Sequence, residues 1–238
     1  MIELKRIDFF RRAVDAISSF IPEGNFRFSD KGVSFRSTDP SQVVLVDYFM
    51  DKKLFDKYEI EPNFIGVDLV ELNKMLQRAM IADKLFIDIS DAELKLKFES
   101  ELKRTFRLPL IDVSVEEAKV PTINYETKVE IMASFLKELL KDASLFGSSV
   151  VLKVEGGRFF LEARGSQGAL DSEALRAASV SSKSNVTSKF SLGFFQNLIK
   201  EADNEKKVII YLKNDSPMKV EYNIGESKIT FYLAHMIL

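Results

Sequence analysis

The chain has 238 residues, of which 46% are hydrophobic and 29% are charged. This composition suits one large or two moderate globular domains and excludes wholesale disorder. The absence of cysteine excludes disulfides, thiolate metal sites and cysteine nucleophiles. Because the formal net charge is −2, a nucleic-acid-binding role requires basic side chains gathered on one surface.

The first half of the chain is predicted to contain two amphipathic helices among strands. A short strand at residues 2–5 and Asp8 precede the first helix, and a hairpin then turns at Asp30-Lys31-Gly32, where glycine supplies a positive φ. A β-branched strand at 43–50 follows, and Asp68 caps the second helix. Strands alternate over 85–90, 93–100 and 103–111. The apolar stripes of the two helices are Phe10, Ala13, Val14, Ile17 and Phe20, and Leu69, Leu72, Met75, Leu76 and Ala79.

Residues 108–125 are predicted to form an extended connector. The stretch begins with Leu-Pro, meets a second proline at Pro121, and carries Asp112, Glu116 and Glu117 without a helical stripe. Proline favours an extended backbone over a helix or a central strand.

The second half of the chain shows the same order of patterns. A strand at 127–132 leads into a third helix, and a hairpin turns at Gly156-Gly157. We expect a short strand at 170–177 and a mobile serine-rich loop up to residue 188, followed by a fourth helix and strands over 207–213, 217–224 and 228–237. The stripes of these helices are Phe135, Leu136, Leu139, Leu140 and Ala143, and Phe195, Leu198, Ile199 and Ala202.

The recurrence indicates an internal duplication. Phe10 and Phe135, Gly32 and Gly157, and Ala79 and Ala202 each lie about 125 positions apart. The predicted fold class is therefore α+β, with two similar domains that each pack two helices on one face of antiparallel sheets.

Several segments, in this order, resemble the DNA sliding clamps of the proliferating cell nuclear antigen family, archaeal-type subunits included. They are STDPSQVVLVD at 37–47, IGVDLVELNKML at 65–76, LPLIDVSVEEAKVP at 108–121, and PMKVEYNI with ITFYLAHMI at the C-terminus. The resemblance implies domains at 1–107 and 126–238 joined by the connector, and three subunits that close into a ring around duplex DNA. The four helices line the hole, and the sheets form the outside.

The resemblance also implies two sets of site residues. The basic residues on the polar faces of the helices contact DNA, although each one read alone is an ordinary solvated side chain; they are Arg11, Arg12, Lys74, Arg78, Lys137, Lys141 and Lys200. A second set lines a pocket for partner peptides: Val43, Leu45, Ala118, Val120, Pro121, Pro217, Tyr232 and Ala234. Thr38, Ala118 and His235 depart from the family pattern and alter the expected shape of that pocket.

The partners that the resemblance implies are double-stranded chromosomal DNA, DNA polymerase, the clamp loader, flap endonuclease, DNA ligase and two further clamp subunits. The subunits contact one another through residues 103–111 and 170–177. These segments show no obvious self-complementarity in sequence, which leaves open whether the ring contains identical or related chains. No cofactor, metal or catalytic residue is implied. We expect an intracellular, soluble protein, because no apolar run reaches membrane-spanning length and residues 1–10 lack a secretion signal.

Two other functions compete with the clamp. One is a metal-dependent phosphoesterase that uses Asp39, Asp47 and Asp112, and the other is a peptide-binding adaptor with the clamp fold but no role on DNA. His235 is the only histidine, and without a nucleophile or a metal-spaced partner it is interpreted as structural. Asp112, Glu116 and Glu117 are interpreted as a solvated acidic connector rather than a cation site.

Overall fold

The computed structural model describes residues 1–61, 63–113 and 118–237. The chain divides into two compact units. The first comprises Met1–Gln42, Val46–Ala118 and Ile224–Ile229, and the second comprises Val43–Leu45, Lys119–Asn223 and Thr230–Leu238. The described residues form four α-helices and eighteen strands.

The first half of the chain forms nine strands and two helices. They are β1 (Ile2–Leu4), α1 (Ile7–Ser18), β2 (Glu23–Ser29), β3 (Gly32–Thr38), β4 (Val44–Asp51), β5 (Lys57–Tyr58), β6 (Asn63–Asp68), α2 (Leu69–Leu76), β7 (Lys84–Ile89), β8 (Glu93–Glu99) and β9 (Lys103–Pro109), with a 3-10 turn at Lys52–Leu54. Strands β5, β1, β7, β8 and β9 form one sheet, and β4, β3, β2 and β6 lie side by side in a second.

The helices of the first unit lie next to each other and bury most of the predicted stripes, whereas Met75 and Ala79 are half-buried and Ala79 lies beyond the end of α2. Phe10, Val14 and Ile17 of α1 are buried, as are Leu72 and Leu76 of α2. The Asp68 carboxylate accepts a hydrogen bond from the backbone N–H of Glu71 at 2.9 Å, which confirms the predicted cap. Helix α1 begins one residue before Asp8, so this residue lies in the first turn and does not cap the helix.

The second half of the chain repeats this order of elements. They are β10 (Thr127–Met132), α3 (Ala133–Ala143), β11 (Ser149–Glu155), β12 (Arg158–Gly165), β13 (Gly168–Glu173), β14 (Ala178–Ser182), β15 (Val186–Ser191), α4 (Leu192–Ile199), β16 (Lys207–Leu212), β17 (Met218–Ile224) and β18 (Ser227–Leu233). Strands β14, β10, β16, β17 and β18 are neighbours in one sheet, and β13, β12, β11 and β15 form another. Each strand therefore has its counterpart nine strands later, in the same place in its sheet.

Each unit contains an equivalent isolated β-bridge that joins the end of its half of the chain to an earlier strand. The residue two places after β9, Ile111, bridges Gly66 at β6, and Met236, shortly after β18, bridges Lys189 at β15. Since β6 and β15 are counterparts, the duplication predicted from the sequence extends to the way each half ends. The hairpin between β11 and β12 turns through Gly156 and Gly157, both at positive φ, as predicted.

The serine-rich stretch is the main correction to the predicted fold. The strand expected at 170–177 runs instead from Gly168 to Glu173, and the expected mobile loop contains β14. Strand β14 pairs with β10 along its length, with Ser179 opposite Glu130 and Ser181 opposite Lys128. A strand made of serine, alanine and valine is held by its backbone hydrogen bonds, so it shows little of the apolar alternation that predicts strands.

One member of the apolar stripe predicted for the third helix is exposed instead of buried. Phe135 is 52% exposed, whereas Leu136, Leu140 and Ala143 are buried. Leu136 is the buried residue of α3 that corresponds to Phe10 of α1. At these helices the spacing between the two halves is therefore one residue longer than the spacing between Phe10 and Phe135.

The connector follows β9, which ends at Pro109. Residues 112–113 and 118–126 lie outside helices and strands. Glu116 and Glu117 lie outside the described residues.

Candidate nucleic-acid interface and peptide-docking surface

Polar side chains join the two helices of the first unit. The Arg11 guanidinium donates a hydrogen bond to Gln77 Oε1 at 3.3 Å, and the Asn73 amide donates to Asp15 Oδ1 at 2.9 Å. The inward stripes fix which sides of α1 and α2 face solvent, so these four residues lie on one continuous polar surface. Arg12 is half-buried beside them.

Lys74 lies in the last turn of α2, and Arg78, predicted on the helix face, lies instead in the turn after the helix ends at Leu76. Lys74 Nζ lies 2.6 Å from Glu71 Oε1, and the hydrogen bond and charge of Glu71 raise the pKa of Lys74. Arg78 lies one turn later and is exposed, while its carbonyl accepts a hydrogen bond from Arg104 at 2.9 Å. Both predicted DNA-contacting side chains are therefore accessible, and the lysine stays charged.

The helices of the second unit hold Lys137 differently from the other predicted cations. Its ammonium donates to the Ala202 carbonyl at 2.7 Å and to Asn204 Oδ1 at 2.9 Å. These contacts fasten α3 to the chain that leaves α4, so Lys137 has a structural role that the sequence pattern did not reveal. The side-chain amide of Gln196 on α4 also donates a hydrogen bond to the Leu140 carbonyl on α3 at 3.1 Å.

One of the two remaining cations of this unit, Lys141, lines a small groove. Lys141 is exposed and lies 3.2 Å from Glu138 Oε1, and Lys200 is half-buried at the end of α4. Between α3 and α4 runs a groove of about 180 Å³, lined by Lys137, Leu140, Lys141, Gln196 and Ile199.

Acidic side chains interrupt the positive charge on three of the helices and just after the fourth. Asp15, Glu71, Glu138, Asp142 and Glu201 lie on α1, α2 or α3 or just after α4, among the seven predicted cations. Phosphate binding by cations diluted in this way is weak, independent of sequence and sensitive to salt. Such a surface suits contacts that form and break as a protein moves along DNA.

The second unit brings together part of the predicted peptide pocket. The backbone N–H of Ala234 donates to the Val43 carbonyl at 2.9 Å, and Leu45 and Tyr232 are buried. Val120 and Pro121 are half-buried on the connector, as are Ala118 in the first unit and Pro217 before β17.

Tyr125 belongs to this region but is not among the pocket residues predicted from the sequence. Its hydroxyl donates to the Pro217 carbonyl at 2.9 Å, and its ring centre lies 5.9 Å from that of Tyr211. Burial, together with the nearby Tyr232 phenol, raises the pKa of Tyr125. A tyrosine at the end of a proline-containing connector is a signal for such an anchor, because its ring can pack while its hydroxyl reaches a backbone carbonyl.

The carboxylates proposed for a phosphoesterase serve local structure. Asp39 Oδ2 accepts from the Ser41 hydroxyl at 2.7 Å and from the Ser41 N–H at 3.1 Å. Asp47 pairs with Arg36 at 3.2 Å, and Asp112 and His235 are exposed. Across residues 1–61, 63–113 and 118–237, no three His, Cys, Asp or Glu side chains form a group able to hold a metal ion.

None of the helices in the described parts of the chain is both long enough and apolar enough to cross a membrane.

Comparison with known proteins covers almost the whole chain. Residues 1–118 match the N-terminal domain of proliferating cell nuclear antigen, and residues 119–237 match its C-terminal domain. The DNA polymerase sliding clamp of Methanococcus vannielii is 34% identical over 96% of this chain and 95% of its own length. DNA polymerase sliding clamp 1 of Thermococcus kodakarensis is 33% identical over 94% and 93%.

Solved structures agree with the fold. The crystal structure of proliferating cell nuclear antigen from Thermococcus kodakaraensis superposes with a TM-score of 0.93 at 23% identity, over 99% of both chains. That from Entamoeba histolytica gives 0.91 at 22% identity, over 99% of this chain and 98% of the other. With two consecutive domain matches and a duplicated α+β architecture, the chain belongs to the proliferating cell nuclear antigen family.

Proposed function

We propose that this chain is a subunit of a DNA polymerase sliding clamp, a non-catalytic ring of three subunits that encircles duplex DNA. The observation that carries the proposal is the pair of consecutive domain matches over residues 1–118 and 119–237. The curated relatives that match over nearly their full length are named as DNA polymerase sliding clamps.

The DNA-facing surface in this proposal is the polar side of the four helices. Arg11, Lys74, Arg78 and Lys141 provide accessible or half-accessible cations there. Their acidic neighbours keep each phosphate contact weak, which permits sliding while the closed ring prevents loss of the DNA. Lys137 contributes mainly by fastening the two helices of the second unit.

The peptide-docking surface is the connector together with the start of β4 and the end of β18. An extended connector offers backbone donors and acceptors beside the apolar side chains of Val120, Leu45 and Tyr232, and a partner that buries an aromatic or aliphatic anchor among them gains most of its affinity from that contact. The partners proposed for this surface are DNA polymerase, the clamp loader, flap endonuclease and DNA ligase, all acting on chromosomal DNA.

Primer extension by the replicative polymerase of Thermococcus kodakarensis, whose DNA polymerase sliding clamp 1 is similar to this chain, tests the proposal. On a singly primed circular template with the matching clamp loader, the protein is expected to lengthen the products made in one binding event. Products of unchanged length, with a known clamp as the positive control, would count against the clamp role. A catalytic nuclease or phosphatase activity that disappears when Asp39 or Asp47 is replaced would favour the phosphoesterase instead.

A further inference from the structure

Two exposed aromatic rings lie on the outer face of one sheet in the first unit. The described residues include three exposed phenylalanines, and two of them are Phe49 on β4 and Phe64 on β6. The third, Phe135, is on α3. Single exposed apolar residues are ordinary on protein surfaces. Two exposed rings on one sheet face, with cations beside them, are less ordinary and call for a physical explanation.

Strand pairing places one of these rings in a row with a cation. Strands β4, β3, β2 and β6 are neighbours in that order. Arg27 of β2 is paired with Ser34 of β3 on one side and with Phe64 of β6 on the other. Arg27 is exposed, and Ser34 is half-buried. Because directly paired residues point to the same face of a sheet, these three side chains form a row across it.

The register between β3 and β4 adds the second ring to the row. The Lys52 N–H donates to the Lys31 carbonyl at 2.9 Å, and three residues back along this antiparallel pair Phe49 is opposite Ser34. Lys228, on the neighbouring strand β18, is exposed while the residues on either side of it are buried. The outer face therefore carries a cation, a ring, a serine, a second cation and a second ring on five consecutive strands.

The two rings are far enough apart to hold separate bases. Three strand spacings of about 4.8 Å separate β4 from β6, so the backbones that carry Phe49 and Phe64 are about 14 Å apart. Arg27 lies between them, with its guanidinium carbon 5.1 Å from the centre of the Phe64 ring. Aromatic rings stack on bases of any sequence, and an arginine plane adds stacking and attraction for phosphate.

The charge on this face suits a phosphate backbone. Arg27, Arg36 and Lys228 share the face with two carboxylates, Asp47 and Asp51. Arg36 Nε lies 3.2 Å from Asp47 Oδ1, so this pair is neutral as a whole. The row that contains the two rings has only basic charges, from Arg27 and Lys228, and attracts an anionic strand weakly and without sequence preference.

An open sheet face favours stacked bases over a peptide. A peptide anchor obtains most of its affinity when it is fully desolvated in a well-packed pocket, whereas bases stack on rings that stand on an exposed sheet. In duplex DNA the faces of the bases are covered by neighbouring pairs, so only a single strand can use both rings.

We infer that this outer face binds single-stranded nucleic acid, with one base stacked on Phe49, another on Phe64, and the phosphates between them beside Arg27. The site goes beyond the proposed clamp function, in which the four helices face duplex DNA. A polymerase that extends a primer exposes single-stranded template, which is the ligand that this face meets in the proposed role. The inference does not require that role, because binding is measured on the chain alone.

Fluorescence anisotropy of a fluorescein-labelled oligothymidylate of about ten nucleotides, at low salt and without polymerase or clamp loader, tests the inference. The parent chain is expected to bind this probe more tightly than a duplex of the same length. The double variant Phe49→Ala with Phe64→Ala is expected to bind about 30-fold less tightly, equal to about 2 kcal/mol for the two stacked bases. Replacing both phenylalanines with tryptophan keeps the stacking faces and is expected to retain the affinity.

Phe160→Ala is the matched control. The guanidinium carbon of Arg158 lies 5.3 Å from the centre of the Phe160 ring, an arrangement like that of Arg27 and Phe64. Phe160 is half-buried, and its four-stranded sheet carries none of the three exposed phenylalanines. This variant is expected to bind the probe like the parent.

Two results would overturn the inference. One is a parent chain that does not bind the probe. The other is a double alanine variant that binds it like the parent; if that variant also interacts less well with the polymerase, the face belongs to a protein partner. Failure of the clamp function gives a different result, namely a parent chain that binds the probe through both rings but does not lengthen the products of the polymerase.

Discussion

At the scale of single residues, Asp83 links electrostatics to stability. Its buried carboxylate accepts from the Ser100 hydroxyl at 2.6 Å and the Met80 N–H at 2.7 Å, and it pairs with Arg104. Burial alone raises the pKa of Asp83, but these three partners outweigh it, and the pKa is below the ordinary value for aspartate. The stabilisation is therefore fully present above the pKa of the unfolded chain, about 3.9, and is lost as the pH falls through the lower folded value.

Asp83→Asn is predicted to destabilise the protein at neutral pH by about 3 kcal/mol or more, because it leaves the Arg104 charge without its buried partner. The variant is also expected to lose part of the acid sensitivity of the parent. Urea unfolding at pH 7 and at a pH well below the unfolded value of about 3.9, at one fixed protein concentration, measures both effects.

Asp88→Asn is the matched control for this prediction. Asp88 is exposed and lies 4.0 Å from Lys95, so its replacement is expected to cost less than about 1 kcal/mol. If the two variants lose the same free energy of unfolding at pH 7, the buried pair of Asp83 and Arg104 contributes no more to stability than an exposed pair.

At the scale of elements, the polar faces of the helices carry the prediction about DNA. The triple variant Lys74→Glu, Arg78→Glu and Lys200→Glu is expected to reduce polymerase stimulation and to lower the salt dependence of DNA binding, because fewer counterions are released. Its circular dichroism spectrum is expected to match that of the parent, since Lys74 and Arg78 point to solvent.

The control for the triple variant replaces Lys31, Lys52 and Lys53 with glutamate. These lysines are exposed and lie outside the four α-helices. Its net charge equals that of the triple variant. If the two proteins stimulate synthesis to the same extent, then total charge, and not the helix faces, determines the interaction with DNA.

The connector carries the prediction about partner peptides. Val120→Asp places a charge on the apolar docking surface and is expected to weaken binding of a peptide with the partner motif of the family by at least ~2 kcal/mol, or about 30-fold in Kd. Isothermal titration calorimetry measures the change. Thr122→Asp, an exposed connector position, is expected to bind the peptide like the parent, and equal affinity for the Val120 variant would move the docking site elsewhere.

The helices, most strands and the duplication were predictable from sequence because helical spacing and strand alternation reflect burial directly. The errors have local causes. Strand β14 is stabilised by its backbone hydrogen bonds, and its small side chains lack the apolar alternation that predicts a strand. In α3 the adjacent apolar residues Phe135 and Leu136 both fit the predicted stripe, but only one of them can occupy the buried position. The anchoring of Lys137 and Tyr125 was not predictable, because both bond to backbone carbonyls that are distant in sequence.

At the scale of the whole molecule, retention on DNA depends on topological linkage and not on strong local binding. The helix faces mix cations with acids, so affinity for linear DNA is expected to be low and to fall steeply with salt. A clamp made in this way stays on DNA only if its ring is closed.

The most direct test of this claim compares retention on circular and linear DNA. The protein is loaded onto a nicked circular plasmid, one half of the sample is then linearised, and both halves are separated by gel filtration at 0.3 M salt. We predict that the protein elutes with the circular DNA and is lost from the linear DNA, because an encircling ring slides off a free end. Equal retention on both forms, or no retention on the circle when a known clamp is retained, would contradict the account.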